Sequence, residues 1–288
     1  MQILEEAMRV AITEAKKSLK EGNHGFGAVI VKENKIIAKA HDTEETDNDP
    51  TSHAEINVIK IASKKYDKNL SDCTIISTHE PCPMCSSAIL WSKIRKVGYG
   101  FSIAESLKQD RKRIDISCKE IFERSGIVLD LKTDMLKDEC QILYNKNVRD
   151  EIKRLRRVNK QKLYEYNEDS IKRRLLWFKE NKDNFDFINE NTLESAYKLL
   201  LCRFGINEND APVILKENNK ILFHSMNFCP TLEACKILDL DTRYICRRYN
   251  EKSTDILIKQ IDQKLRFDRN YQKLRPYYEY CEEMIIKE

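Results

Sequence analysis

The stretches 52-SHAEINV-58 and 80-EPCPMCSSA-88 decide how this chain of 288 residues is read. Together they offer one histidine, one glutamate and a Cys-x-x-Cys pair: His53, Glu55, Cys82 and Cys85. Zinc takes nitrogen and thiolate donors in a tetrahedron, and a catalytic zinc uses three protein ligands and keeps the fourth position open. His53, Cys82 and Cys85 supply those three donors. The two cysteines sit one turn apart at a helix start, where Pro81 and Pro83 suit the entry and the first turn and the helix dipole favours thiolates. Glu55 is not needed as a ligand, so it is free to carry protons between an attacking water and a leaving nitrogen. A Cys-x-x-Cys alone also suits a redox pair or half of a structural zinc site, but a structural site asks for a fourth cysteine or histidine where this chain offers a glutamate.

The rest of the chain sets limits on that chemistry. Its composition, 41 % apolar and 34 % charged with a net charge of +4, is that of a soluble globular protein with room for two domains. There is no apolar run long enough to span a bilayer, and Glu5, Glu6 and Arg9 spoil a secretory leader, so the expected location is the cytoplasm. The 10 cysteines are then expected as thiols or metal ligands rather than disulfides.

Working outward from the quoted stretches, residues 4–22 (LEEAMRVAITEAKKSLKEG) carry apolar positions at helical spacing and stop at Gly22. Residues 28–40 read as a hairpin turned at Glu33-Asn34. A helix from Ala54, a strand CTIIST, a helix from Pro83 to Trp91, a strand KVGYGF, a helix near CKEIFERSG and a strand IVLDL complete an α/β fold. The expectation is a three-layer α/β/α domain over residues 1–140 with a five-stranded mixed sheet. Residues 141–185 read as a charged helical linker, and within 146–174 about eleven basic residues face about five acidic ones. That excess is either a solvated helix face or a nucleic-acid stripe. Residues 186–288 read as a smaller α+β domain with a helix TLESAYKLLLCRF, a hairpin turned at Asn218-Asn219 and helices near TLEACKIL and STDILIKQI.

With its histidine-x-glutamate and proline-cysteine-x-x-cysteine, the first half resembles the cytidine deaminase superfamily, in particular its guanine deaminase and tRNA adenosine deaminase branch. The resemblance implies one Zn2+ per chain on His53, Cys82 and Cys85, with Glu55 as proton shuttle. It implies hydrolytic release of ammonia from an amino-substituted heterocycle, guanine-like by preference, and a homodimer. It places Phe26, Ala54, Trp91 and Asp115 around the substrate. Phe26, in GFGAVIV, and Trp91 also read as ordinary packing residues. Asp42 stands where the family usually has a base-reading asparagine, eleven residues before His53. A carboxylate only accepts hydrogen bonds, so a ring read by Asp42 would present N–H or NH₂. Alternatively Asp42 caps a turn, or the correspondence slips by one onto His41. tRNA is the rival substrate, disfavoured because residues 1–140 carry about 22 basic and 23 acidic side chains and no basic tail.

The second half resembles the domain named for L-2-amino-thiazoline-4-carboxylate hydrolase, through Cys229-Pro230, Cys246, the run KLRFDR and Cys281-Glu282. That resemblance suggests a small-heterocycle sensor or ring-opening hydrolase. Cys229, Cys246 and Cys281, with Cys235 nearby, form a candidate second metal or thiol site, or else are buried apolar packing residues.

Overall fold

The computed structural model describes residues 2–109, 112–189 and 191–288. The chain divides into two compact units, the first ending at Arg156 and the second beginning at Arg157.

The first unit opens with helix α1 (Gln2–Glu21), followed by strands β1 (Gly27–Lys32) and β2 (Lys35–His41). Glu33 and Asn34, both at positive φ, make the tight turn between them. Then come the short α2 (Glu44–Asp47), α3 (Ala54–Lys65), β3 (Cys73–His79), α4 (Pro83–Trp91), β4 (Lys96–Phe101), α5 (Ile103–Lys108), α6 (Cys118–Arg124) and β5 (Asp130–Lys132). The sheet order is β2-β1-β3-β4-β5. β1 runs antiparallel to both its neighbours, whereas β3, β4 and β5 are mutually parallel. This is the expected five-stranded mixed sheet.

Strand alternation separates its two faces. Ala28 and Ile30 join Ala54, Val58 and Ala62 of α3 and Ile89 of α4 in one core. The opposite face of β1 meets α1, so closely that a Cβ on Gly27 would overlap the Ala11 carbonyl oxygen. Helices therefore cover both faces of the sheet.

The stretch expected as a linker is instead divided between the units. α7 (Lys137–Tyr144) and α8 (Lys146–Leu155) belong to the first. Cys140, Leu143, Tyr144, Val148, Ile152 and Leu155 are all buried, which is the apolar stripe of packed helices beneath a charged outer face. Two of the cations counted toward a basic stripe, Arg149 and Arg174, are drawn inward: Arg149 donates to the His24 carbonyl at 2.6 Å, and Arg174 is 6 % exposed.

The second unit contains α9 (Lys160–Asn181), α10 (Thr192–Phe204), β6 (Val213–Glu217), β7 (Lys220–Ser225), α11 (Pro230–Leu238), α12 (Thr242–Cys246), a π-helical turn (Arg247–Glu251), α13 (Lys252–Ile258), β8 (Leu265–Arg269) and β9 (Cys281–Lys287). Its antiparallel sheet has the order β6-β7-β9-β8 and packs on α10 and α13 through Leu199, Leu200, Leu257 and Ile258. β8 and β9 replace what the sequence suggested only as a KLRFDR run and a terminal cysteine. No helix among the described residues is long and apolar enough to cross a membrane.

Candidate metal centre and substrate cleft

Two helix starts bring the donors together. His53 is the N-cap of α3 and Cys82 the N-cap of α4, both in extended conformation, with Pro83 opening α4. Pro83 fits there because the first helical position needs no N–H donor. His53 Nδ1 lies 3.6 Å from Cys82 Sγ and 3.4 Å from Cys85 Sγ. The three ligand atoms lie within 4.8 Å of one another. With Zn–N of about 2.0–2.1 Å and Zn–S of about 2.3 Å, a tetrahedral centre sets its N and S ligands roughly 3.5 Å apart, so the donor set fits zinc in kind and in spacing.

The electrostatics agree with that fit. Cys82 is pulled down to about 4, by the hydrogen bond from Cys85 first and by His53 as well, while Cys85, which holds the proton, is pushed up. His53 is raised to about 9, chiefly by its contact with Cys82. On its other side His53 Nε2 faces Glu44 Oε2 at 3.7 Å.

Glu55 stands one residue into α3, buried, and accepts from the Ser77 hydroxyl at 2.7 Å. Burial pushes its carboxyl up. Beside these groups is a cleft of about 190 Å³ lined by His53, Glu55, Cys82, Phe26, His79 and Arg113, among others. Phe26 is stacked on Tyr144 with ring centroids 5.4 Å apart, and Tyr144 is in turn fixed by its hydroxyl, which donates to Thr78 Oγ1 at 2.7 Å. Glu80 also reaches the cleft, but its carboxylate is taken up by the backbone N–H groups of Ile103 and Cys118, each at 2.9 Å.

The structure thus brings His53, Glu55, Cys82, Cys85 and Phe26 together and leaves other sequence candidates outside. Asp42 is fully buried and is not among the residues lining the cleft; its Oδ1 accepts from the His24 N–H at 3.1 Å, its Oδ2 has no partner among the described residues, and it lies close to Glu44 and His53. Trp91 stands 82 % exposed at the last turn of α4 and is not part of the cleft, because α4 points its C-terminal end away from its own metal-side start. Asp115 is exposed, while its neighbours Arg113 and Ile114 line the cleft in its place. Ala54 is buried between His53 and Glu55 without joining the lining. Sequence reasoning missed Arg113, whose guanidinium carbon lies 5.0 Å from the centre of the Phe26 ring. Its only signal was its place in the charged run RKRID, beside the candidate Asp115. In the second unit Cys229, Cys246 and Cys281 line one cavity, but they do not converge as metal ligands among the described residues.

An α/β/α fold that aims a histidine and two cysteines from two helix starts at one point, with a buried glutamate alongside, is the architecture of a zinc-binding deaminase region. Residues 1–101 match the family model for the cytidine and deoxycytidylate deaminase zinc-binding region, and a probable cytosine deaminase of Schizosaccharomyces pombe is 31 % identical over 140 residues, 47 % of this chain and 86 % of that protein. The chain belongs to this deaminase family. It is also 46 % identical over 91 residues to a tRNA-specific adenosine deaminase of Aquifex aeolicus, 31 % of this chain and 60 % of that one. With a guanine deaminase of Bacillus subtilis the identity is 42 % over 97 residues, 33 % of this chain and 62 % of that one. The chain thus spans about 60 % of the length of these last two relatives.

Proposed function

We propose that the first unit is a zinc-dependent hydrolytic deaminase of a small amino-substituted heterocycle, a guanine-like purine base by preference. His53, Cys82 and Cys85 would hold the metal, which supplies Lewis acidity and an acidified water. Glu55, two residues beyond the His53 cap, takes the proton from the attacking water and delivers it to the departing amine, and Ser77 holds its carboxylate in place. Phe26, backed by Tyr144, packs on the ring.

The observation that carries the preference for guanine is Arg113. Its Nη2 is buried without a partner among the described residues, in the cleft that also holds Phe26, Ile114 and the metal donors His53 and Cys82. A guanidinium fork matches the O6 and N7 acceptors, which sit about a fork's width apart on one edge of guanine. The test is ammonia release from the zinc-loaded protein over guanine, isoguanine, cytosine, adenosine, aminopterins and aminotriazines. Guanine or a close analogue is expected to be turned over best, with Arg113→Met lowering its kcat/KM roughly ten- to hundredfold, the cost of one hydrogen bond to a charged group. Equal loss on cytosine would remove Arg113 from ring recognition.

A tRNA adenosine deaminase is the second reading, supported by the identity to the Aquifex aeolicus protein. Glu44 and Glu45, both against His24 at the cleft, weigh against a phosphodiester there. Inosine formed in a tRNA pool, and lost on neutralising Arg154, Arg156 and Arg157, would favour it. For the second unit, burial keeps the Cys229 and Cys246 thiols protonated, which favours small-molecule binding over nucleophilic ring opening.

A further inference from the structure

The second unit encloses a cavity of about 230 Å³, far more than the roughly 10–15 Å³ that a single water needs. Most of its wall is apolar, with Leu200, Leu201, Phe223 and Phe267 inside and Phe204 and Phe228, 41 % and 52 % exposed, at the mouth. Three arginines share that wall with one carboxylate, Glu283.

The three guanidinium groups are used differently. Arg275 donates to the main-chain carbonyls of Met226 and Asn227, each at 2.9 Å. Arg269, with 10 % of its side chain exposed, forks onto Glu283 Oε1, and Glu283 also accepts from the Ser225 hydroxyl at 2.7 Å. Even so, Arg269 Nη1 is buried with no partner among the described residues. Arg174, 6 % exposed, has the Thr254 hydroxyl at 2.7 Å and the Phe204 ring at 4.9 Å, and no carboxylate partner among the described residues.

A buried cation without a counter-charge is costly, and folded chains ordinarily pair or neutralise it. Burial presses Arg174 down to about 9, and repulsion from Arg203 and Arg269 adds to that. The chain nevertheless keeps an arginine here, on an apolar cavity that opens to the surface. A π-helical turn, Arg247–Glu251, flanks the cavity and sets Cys246 and Asn250 into its wall. Such turns are frequent at functional sites.

We propose that this cavity binds a small monocarboxylate with an apolar body, its carboxylate on the Arg174 guanidinium and its body among Leu200, Phe223 and Phe267. One charge fits better than two, since Glu283 already neutralises Arg269 and would repel a dianion. The site is separate from the metal centre and does not rest on the deaminase reading.

The experiment is ligand-observed fluorine NMR on the full chain with 4-fluorobenzoate, and with 4-fluorobenzamide as its neutral counterpart. The expected result is saturable binding of the benzoate, at least tenfold weaker binding of the benzamide, and no displacement of the benzoate by equimolar inorganic phosphate. Arg174→Gln is expected to weaken the benzoate at least tenfold, while Arg173→Gln, exposed on the same helix, leaves it unchanged. The thermal midpoint without ligand adds a second readout: Arg174→Gln should raise it, because a lone buried charge is removed, whereas a purely structural arginine would lower it when lost. The proposal is overturned if wild type binds neither probe, if it binds both equally, if phosphate displaces the benzoate, or if Arg174→Gln binds the benzoate as wild type does.

Discussion

At the scale of single residues, roles separate by what each side chain touches. Cys85 and His53 lie within donor distance of one another, whereas Glu55, held by the Ser77 hydroxyl, is not one of the three converging donors. Cys85→Ser is therefore expected to lose zinc and Glu55→Gln to keep it while losing at least about a hundredfold in turnover, a typical contribution of a positioned acid/base group. Metal analysis of the two purified variants beside an ammonia assay checks the division; zinc lost from a folded Glu55→Gln would break it. Asp42→Asn, which the sequence alone would make a specificity switch, is expected instead to leave the ranking of substrates unchanged, because Asp42 is not among the cleft-lining residues and its Oδ1 is held by the His24 N–H. Relative rates on guanine and isoguanine decide that. The metal donors were legible in the sequence because coordination fixes both residue type and spacing. The rest of the cleft lining was not, because Arg113 and Ile114 reach it through a loop whose path no periodicity encodes.

At the scale of elements, α1 and the β1–β2 hairpin act as the frame that presents His24 and Phe26. Glu14 on α1 is buried and bridged by His41 Nδ1 at 2.9 Å and Lys39 Nζ at 3.1 Å, while His41 Nε2 meets Glu21 at 2.9 Å. Burial works against the Glu14 carboxylate, but the hydrogen bonds from His41 and Lys39 outweigh it and hold Glu14 below its ordinary value. A carboxyl lowered by folding contributes stability that is present above the unfolded value and is lost as pH falls through the folded one. Glu14→Gln should thus cost about 1–3 kcal/mol at neutral pH, and the difference from wild type should shrink on acidification below the usual glutamate range. Urea unfolding at a series of pH values measures both; a difference that grows on acidification would contradict the sign. Gly27→Ala offers a steric counterpart. Its new methyl would meet the Ala11 carbonyl, and a loss of about 1–3 kcal/mol or more is expected from overpacking, read in the same assay. The helices and strands themselves followed from periodicity, including the Glu33-Asn34 turn, but β8 and β9 did not, since a run such as LRFDR mixes charge into a strand that pairs on one side only.

At the scale of the whole molecule, the boundary lies between Arg156 and Arg157 and not near residue 140. The misreading has a physical source: α7 and α8 display charge outward, and a chain of charged helices looks like a spacer until its buried stripe is seen. A fragment ending at Arg156 is expected to fold, bind zinc and release ammonia. One ending at Cys140 loses Leu143, Tyr144, Val148, Ile152 and Leu155 from its core and is expected to unfold more readily and to lose its ring pocket. Circular dichroism melts and activity of the two fragments make the comparison; equal stability would return residues 141–156 to the role of a linker.

The stacking of Phe26 on Tyr144 also bears on how the protein is made. The hydroxyl that anchors Tyr144 reaches Thr78 across 66 positions of sequence. Chains emerge from the ribosome with their N-terminal portions first and fold in that order. All the metal donors are therefore synthesised before the residue that steadies the ring platform. The aromatic wall of the cleft is thus completed last, when α7 brings Tyr144 back onto β3 and closes the first unit.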